Sequence, residues 1–186
     1  MEEQKRYRNS FIFLTLIATA GILVGLYLYE YTDYFSAIRQ DTAVATADLD
    51  IKELILIFFD EFKLMAVIFL CGFTLFSAYV SALLVVYKGF MTGFSVLYFG
   101  LCYSNGSINK IHFILTASAL TVLLLIYIIT GAKAVAFSGS LRYAAPDVGS
   151  LLHRKSTSAY MITFLILSSF ALMALTLKYV LPIIKI

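Results

Sequence analysis

The chain has 186 residues, of which 61% are hydrophobic and 13% charged, with a mean hydropathy of +0.92 and a formal net charge of +3. Soluble domains carry about 45–50% apolar residues, so this composition excludes an ordinary soluble fold and describes an integral membrane protein with no separate soluble domain. A charge so small and so dispersed leaves no footprint for nucleic acid.

Residues 1–8 are polar and include Lys5, Arg6 and Arg8, and an uncharged run follows at 9–29. Ala18-Thr19-Ala20 has the small-x-small form of a signal-peptide cleavage site, but the apolar run continues past it and is long enough to span. It reads as a retained signal anchor, the first span. Residues 30–63 form an outward segment, and eight of the eleven acidic residues fall between Glu30 and Glu61. From Asp48 onward, apolar residues such as Leu49, Leu54, Phe58, Phe59 and Phe62 alternate with charges. This pattern suits an amphipathic helix lying on the membrane surface, or else the entry to the next span.

Residues 64–87 contain no Asp, Glu, Lys or Arg and predict a second span. Lys88 interrupts the apolar stretch. A lysine at the bilayer centre costs at least roughly 2.5–3.5 kcal/mol, which places Lys88 at a surface. Lys88, Gly89 and Gly93 then mark a structural hairpin, with a third span at 89–104 that is short enough to cross or re-enter; crossing is favoured. Asn105, Gly106 and Asn109 suit a tight connector. A fourth span at 111–131 is followed by small residues at 132–137 that permit close helix contact. Residues 138–158 are polar, and a fifth span runs from 159 to 181. The expected fold is all-α, a polytopic transmembrane helical bundle of about five spans forming a single domain over 1–186. Lys and Arg are concentrated before spans one and five, so the N-terminus is expected in the cytoplasm and the C-terminus outside the cell membrane.

Little in the chain suggests chemistry. It has no Gly-rich phosphate loop, no paired cysteines and, with these spans, no intramembrane Asp or Glu, which argues against an ion-coupled transporter. No catalytic residue, cofactor or metal ligand is expected. Cys71 and Cys102 read as packing residues. Ser77, Ser81, Thr116, Ser118 and Thr121 are expected to bond back to their own helix carbonyls. Gly21 and Gly25, like Gly89 and Gly93, have the four-residue spacing that lets helices approach closely.

Val86-Tyr87-Lys88-Gly89-Phe90-Met91-Thr92-Gly93-Phe94 resembles the Lys-Gly-x-x-x-Gly-Phe hairpin of the stage II sporulation protein M family. Residues 132–142, a small-residue run ending at Arg142, look like that family's segment after its fourth span. The resemblance implies a non-enzymatic membrane scaffold that recruits peptidoglycan-degrading enzymes to the septal membrane during sporulation engulfment. Its expected partners, besides membrane lipid, are cell-wall hydrolases resembling stage II sporulation proteins D and P, and self-association into a homo-oligomer is left open. Asp48 and Asp50, which would steer a basic partner, and Leu54, Phe58 and Phe59, which would supply apolar contact, are the expected partner-binding residues. The alternative is a small-molecule permease or an ABC-exporter-type membrane subunit.

Overall fold

A computed structural model describes residues 2–31, 51–143 and 149–179. Five helices and no strands occur among the described residues: α1 (Glu2–Tyr31), α2 (Ile51–Cys71), α3 (Ser77–Ser104), α4 (Lys110–Tyr143) and α5 (Gly149–Tyr179). Four of them, all but α2, hold segments long and apolar enough to cross a membrane. The protein is a multi-pass all-helical bundle.

α4 lies at the centre. Ala119, Leu123, Tyr127, Thr130, Ala132, Ala134 and Phe137 are all buried along it, because α1, α2, α3 and α5 each pack against it. The small residues after Gly131 let the helix continue through Phe137 to Tyr143, and Ala132 and Ala134 are fully buried. Contacts along the helices fix their directions. Leu14 and Ser81 both lie beside Gly131, and Arg6 donates to the Gly139 carbonyl at 3.0 Å. Ring contacts pair Phe99 with His112 and Tyr103 with Phe113. Hence α1 and α3 run alike, antiparallel to α4.

The helix boundaries correct two of the expected spans. Residues 64–87 are not one span. Residues 64–71 end α2, a turn occupies residues 72–76, and Ser77 opens α3. The Gly72 N–H bonds back to the carbonyls of Ile68 and Phe69, and Thr74 Oγ1 donates to the Cys71 carbonyl at 2.8 Å, so the turn itself caps α2. Gly72 leaves room for the Tyr160 hydroxyl, which a Cβ at this position would overlap. The second correction is larger. Lys88, Gly89 and Gly93 form no hairpin, because α3 runs unbroken through them from Ser77 to Ser104.

The connector after α3 is a turn, as the sequence indicates. Gly106 adopts a left-handed φ of 71°, a conformation open to glycine without strain. The amides of Asn105, Gly106 and Ser107 return to the carbonyls of Leu101, Tyr103 and Cys102.

Candidate functional site: a charged cluster inside the bundle

The four glycines noted in the sequence lie on facing sides of α1 and α3. A Cβ added at Gly21 would meet the Val86 carbonyl oxygen at 2.6 Å, and one added at Gly89 would meet that of Ala18 at 2.5 Å. Gly25 and Gly93 are tighter still, against the carbonyl oxygens of Phe90 and Ile22. Both helices therefore touch through main chain over two turns. Gly89 and Gly93 serve this approach, and the backbone at Gly89 remains helical.

That parallel packing presents Lys88 to the other side of α3. Its ammonium pairs with Glu61 of α2 at 2.5 Å and lies 5.1 Å from the centre of the Tyr127 ring. The Tyr127 hydroxyl donates to the second carboxylate oxygen of Glu61 at 2.8 Å and lies 3.1 Å from the Glu61 main-chain oxygen. Tyr127 is fully buried, and the Lys88 and Glu61 side chains are only 14% and 21% exposed. One carboxylate thus accepts from a cation and a phenol, and each oxygen has its own donor.

The depth of this cluster follows from helix length. At 1.5 Å per residue α3 is about 40 Å long, and Lys88 sits about 16 Å from its start. A hydrocarbon core of roughly 30 Å laid anywhere along α3 includes Lys88. The same construction on the apolar segment Lys110–Leu141 includes Tyr127. Lys88 is therefore an intramembrane cation, and Glu61 makes that position tolerable, since a paired and hydrogen-bonded charge avoids most of the penalty of a bare one. The expectation that no Asp or Glu enters the membrane is overturned by Glu61.

Glu61 can reach Lys88 because α2 packs lengthwise against the bundle, not flat on its surface. Below Glu61, towards the turn at residues 72–76, rings hold α2 to α4 and α5. Phe69 stacks on Phe164 and Tyr160 with ring centres 4.4 and 4.9 Å apart, and Phe137 stacks on Tyr160 at 4.4 Å. The Tyr160 hydroxyl donates to the Phe69 carbonyl at 3.0 Å, and Ser138 donates to that of Thr74 at 2.6 Å. α2 is thus fastened from Glu61 to the turn that ends it.

This geometry divides the expected partner-binding residues. Phe58 is half-buried against the core and faces the bundle, whereas Phe59 is exposed, with the Lys63 ammonium 5.5 Å over its ring. Asp48 and Asp50 lie outside the described residues, as does the side chain of Leu54. Phe58 and Phe59 do not form one outward surface, because adjacent residues on a helix point about 100° apart.

Two of the hydroxyls behave as expected, Ser118 donating to the Leu115 carbonyl and Thr121 to that of Ala117, each at 2.8 Å. Ser77, Ser81 and Thr116 do not. They are buried, and among the described residues their hydroxyl oxygens have no hydrogen-bond partner. Cys71 and Cys102 are free thiols. The sequence hides the cluster because Glu61 stands 27 residues before Lys88 and beside Asp60, where it reads as a surface charge. The available signal is that a lysine in an apolar helix demands a counter-charge, and Glu61 is among the nearest acidic residues in the chain. Compared with family models, with curated proteins and with solved structures, the chain matches none.

Proposed function

We propose that this protein is a non-enzymatic membrane scaffold of the cell membrane, its N-terminus cytoplasmic and its C-terminus outside. In this reading it holds an outward segment before α2 for extracytoplasmic partners. The observation that carries the proposal is the main-chain joint between α1 and α3 at Gly21, Gly25, Gly89 and Gly93. A joint with no room for a methyl group has one arrangement, which suits a frame that fixes attached segments in space. The resemblance of residues 86–94 and 132–142 to the stage II sporulation protein M family supports peptidoglycan-degrading enzymes as the partners, at the septum during engulfment.

Glu61, Lys88 and Tyr127 favour a second reading, a small-molecule permease or ABC-exporter-type membrane subunit. A paired carboxylate and ammonium at this depth can exchange its internal partner for a proton or a cation, which a scaffold does not require. One double variant separates the readings. Glu61→Gln with Lys88→Met removes both charges while leaving similar volumes. Scaffold function predicts that a cell-wall hydrolase still co-purifies with the variant in mild detergent at the wild-type level. The transport reading predicts that wild-type protein in liposomes carries a proton flux, read by an enclosed pH-sensitive dye, and that the variant abolishes it. Failure of any cell-wall hydrolase to co-purify with the wild type, together with such a flux, would overturn the scaffold.

A further inference from the structure

α2 carries a second pair of charges at nearly the same depth as Glu61. Lys63 Nζ contacts Asp60 Oδ1 at 2.9 Å, but here the side chains are 61% and 71% exposed. Asp60 and Lys63 are one and two residues from Glu61, so they lie within about 3 Å of its level along the helix axis. Pairing within one helix reduces the penalty of placing two ions against hydrocarbon and does not remove it, because their outer surfaces still lose water. Something more polar than lipid tails must cover this face.

The pattern of the face says what. Leu56, Phe59, Lys63, Ala66 and Leu70 follow one another at steps of three, four, three and four residues. Leu56, Phe59, Lys63 and Leu70 are exposed, and Ala66, between Lys63 and Leu70, is small and half-buried. Alternating steps of three and four make the narrow seam by which two helices pack side by side in a left-handed pair. Lys63 stands on the seam and Asp60 immediately beside it. A polar residue at one seam position fixes register and the number of strands.

We propose that this face of α2 is an interface with a second copy of the same chain, the two α2 helices packing in parallel about a two-fold axis normal to the membrane. Two copies in one membrane share their orientation, and a two-fold axis brings the same stripe of each together. The lysine of each copy then lies within reach of the other's aspartate. The surface is self-complementary in charge as well as in shape: one cation and one anion on each side become two pairs between copies. A partner of other sequence would need the same pair in the same register. The dimer leaves Glu61 and Lys88 undisturbed, since they face the opposite side of α2, and it holds whichever reading of the function is correct.

The test is cross-linking in native membranes, in a background carrying Cys71→Ala and Cys102→Ala. Leu56→Cys, on the seam, is expected to give a dimer-sized product on mild oxidation. Leu23→Cys, on the exposed side of α1, is the control and is expected to give none. Asp60→Lys leaves two positive charges on each copy and Lys63→Asp leaves two negative ones. Each, combined with Leu56→Cys, is expected to lower the cross-linked fraction roughly tenfold, the effect of losing both interhelical polar pairs. Co-expression of the two is expected to restore it, because oppositely charged copies then pair. Wild-type protein with one fluorophore per copy, captured in small membrane discs, provides a measure independent of any variant; it is expected to bleach in two steps. Single-step bleaching, equal cross-linking at Leu23→Cys, or failure of the co-expressed pair to recover at normal membrane levels would each overturn the proposal.

Discussion

α1 meets α3 through main chain, whereas α2 meets the rest of the bundle through side chains. At the first joint four glycines remove every atom beyond Cα, and the attraction comes from many close, weak contacts between backbones. At the second, one ion pair, one phenol and a cluster of rings span a wider gap. The contrast shows two ways of joining helices where water gives no hydrophobic drive. A joint made by removing atoms tolerates no addition. A joint made by charges tolerates no partial removal, but it accepts removal of the whole pair.

The sharpest test of that asymmetry lies in the second joint and has the largest expected effect. Lys88→Met alone leaves the Glu61 carboxyl buried without its cation, and Glu61→Leu alone strands Lys88. Each should destabilise the bundle by about 3–5 kcal/mol, the range for breaking a buried pair. Replacing both residues together should bring stability back to within roughly 1 kcal/mol of the wild type, since a well-packed apolar pair is often no worse than a buried ionic one. Reversible unfolding in mixed detergent micelles measures all three. A double variant as unstable as the single ones would mean that the pair holds α2 by its shape.

The first joint should respond to addition instead. Gly25→Ala and Gly93→Ala each place a methyl group against a carbonyl oxygen of the facing helix, at Phe90 and Ile22. Overpacking of this kind typically costs about 1–3 kcal/mol. Gly100→Ala, in the same helix as Gly93, meets only a Phe113 ring carbon at 3.9 Å and should leave stability near the wild-type value. The comparison is read as the fraction of monodisperse protein after heating in detergent. Equal retention by Gly93→Ala and Gly100→Ala would show that α1 and α3 can separate without loss.

How much of this could be read from the chain differs between the two joints. The helical class, the apolar segments of α1, α4 and α5, and the turn at Asn105 and Gly106 are local in origin, and the sequence carries them directly. The glycine spacing at 21 and 25, and at 89 and 93, was visible, but spacing alone does not say which helix faces which. Lys88 was misleading for a physical reason. The rule that puts lysines at membrane surfaces holds for an unpaired cation, and pairing with Glu61 is a tertiary fact. A Lys88 at the surface requires the chain to turn there, whereas the true turn at Gly72 carries no charge to mark it. The same assignment leaves residues 51–63 in the outward segment, with Phe58 open to partners.

Tyr127→Phe should have the smallest effect, and it asks which member of the cluster does the holding. The phenylalanine keeps the ring beneath the Lys88 ammonium, so the cation–π contact at 5.1 Å persists. What is lost is one hydrogen bond to a carboxylate that still has its lysine on the other oxygen. Polar contacts between membrane helices average about 0.6 kcal/mol and reach about 1.7, because the separated helices also find partners for their polar groups. A loss in that range, measured by the same reversible unfolding, is the expected outcome. It would leave the ammonium as the group that keeps α2 in place. If Tyr127→Phe instead destabilised the protein as much as Lys88→Met, the order would be reversed. The phenol would then be the main tie between α2 and α4, and Lys88 would sit in the membrane only because the carboxylate was already there to receive it.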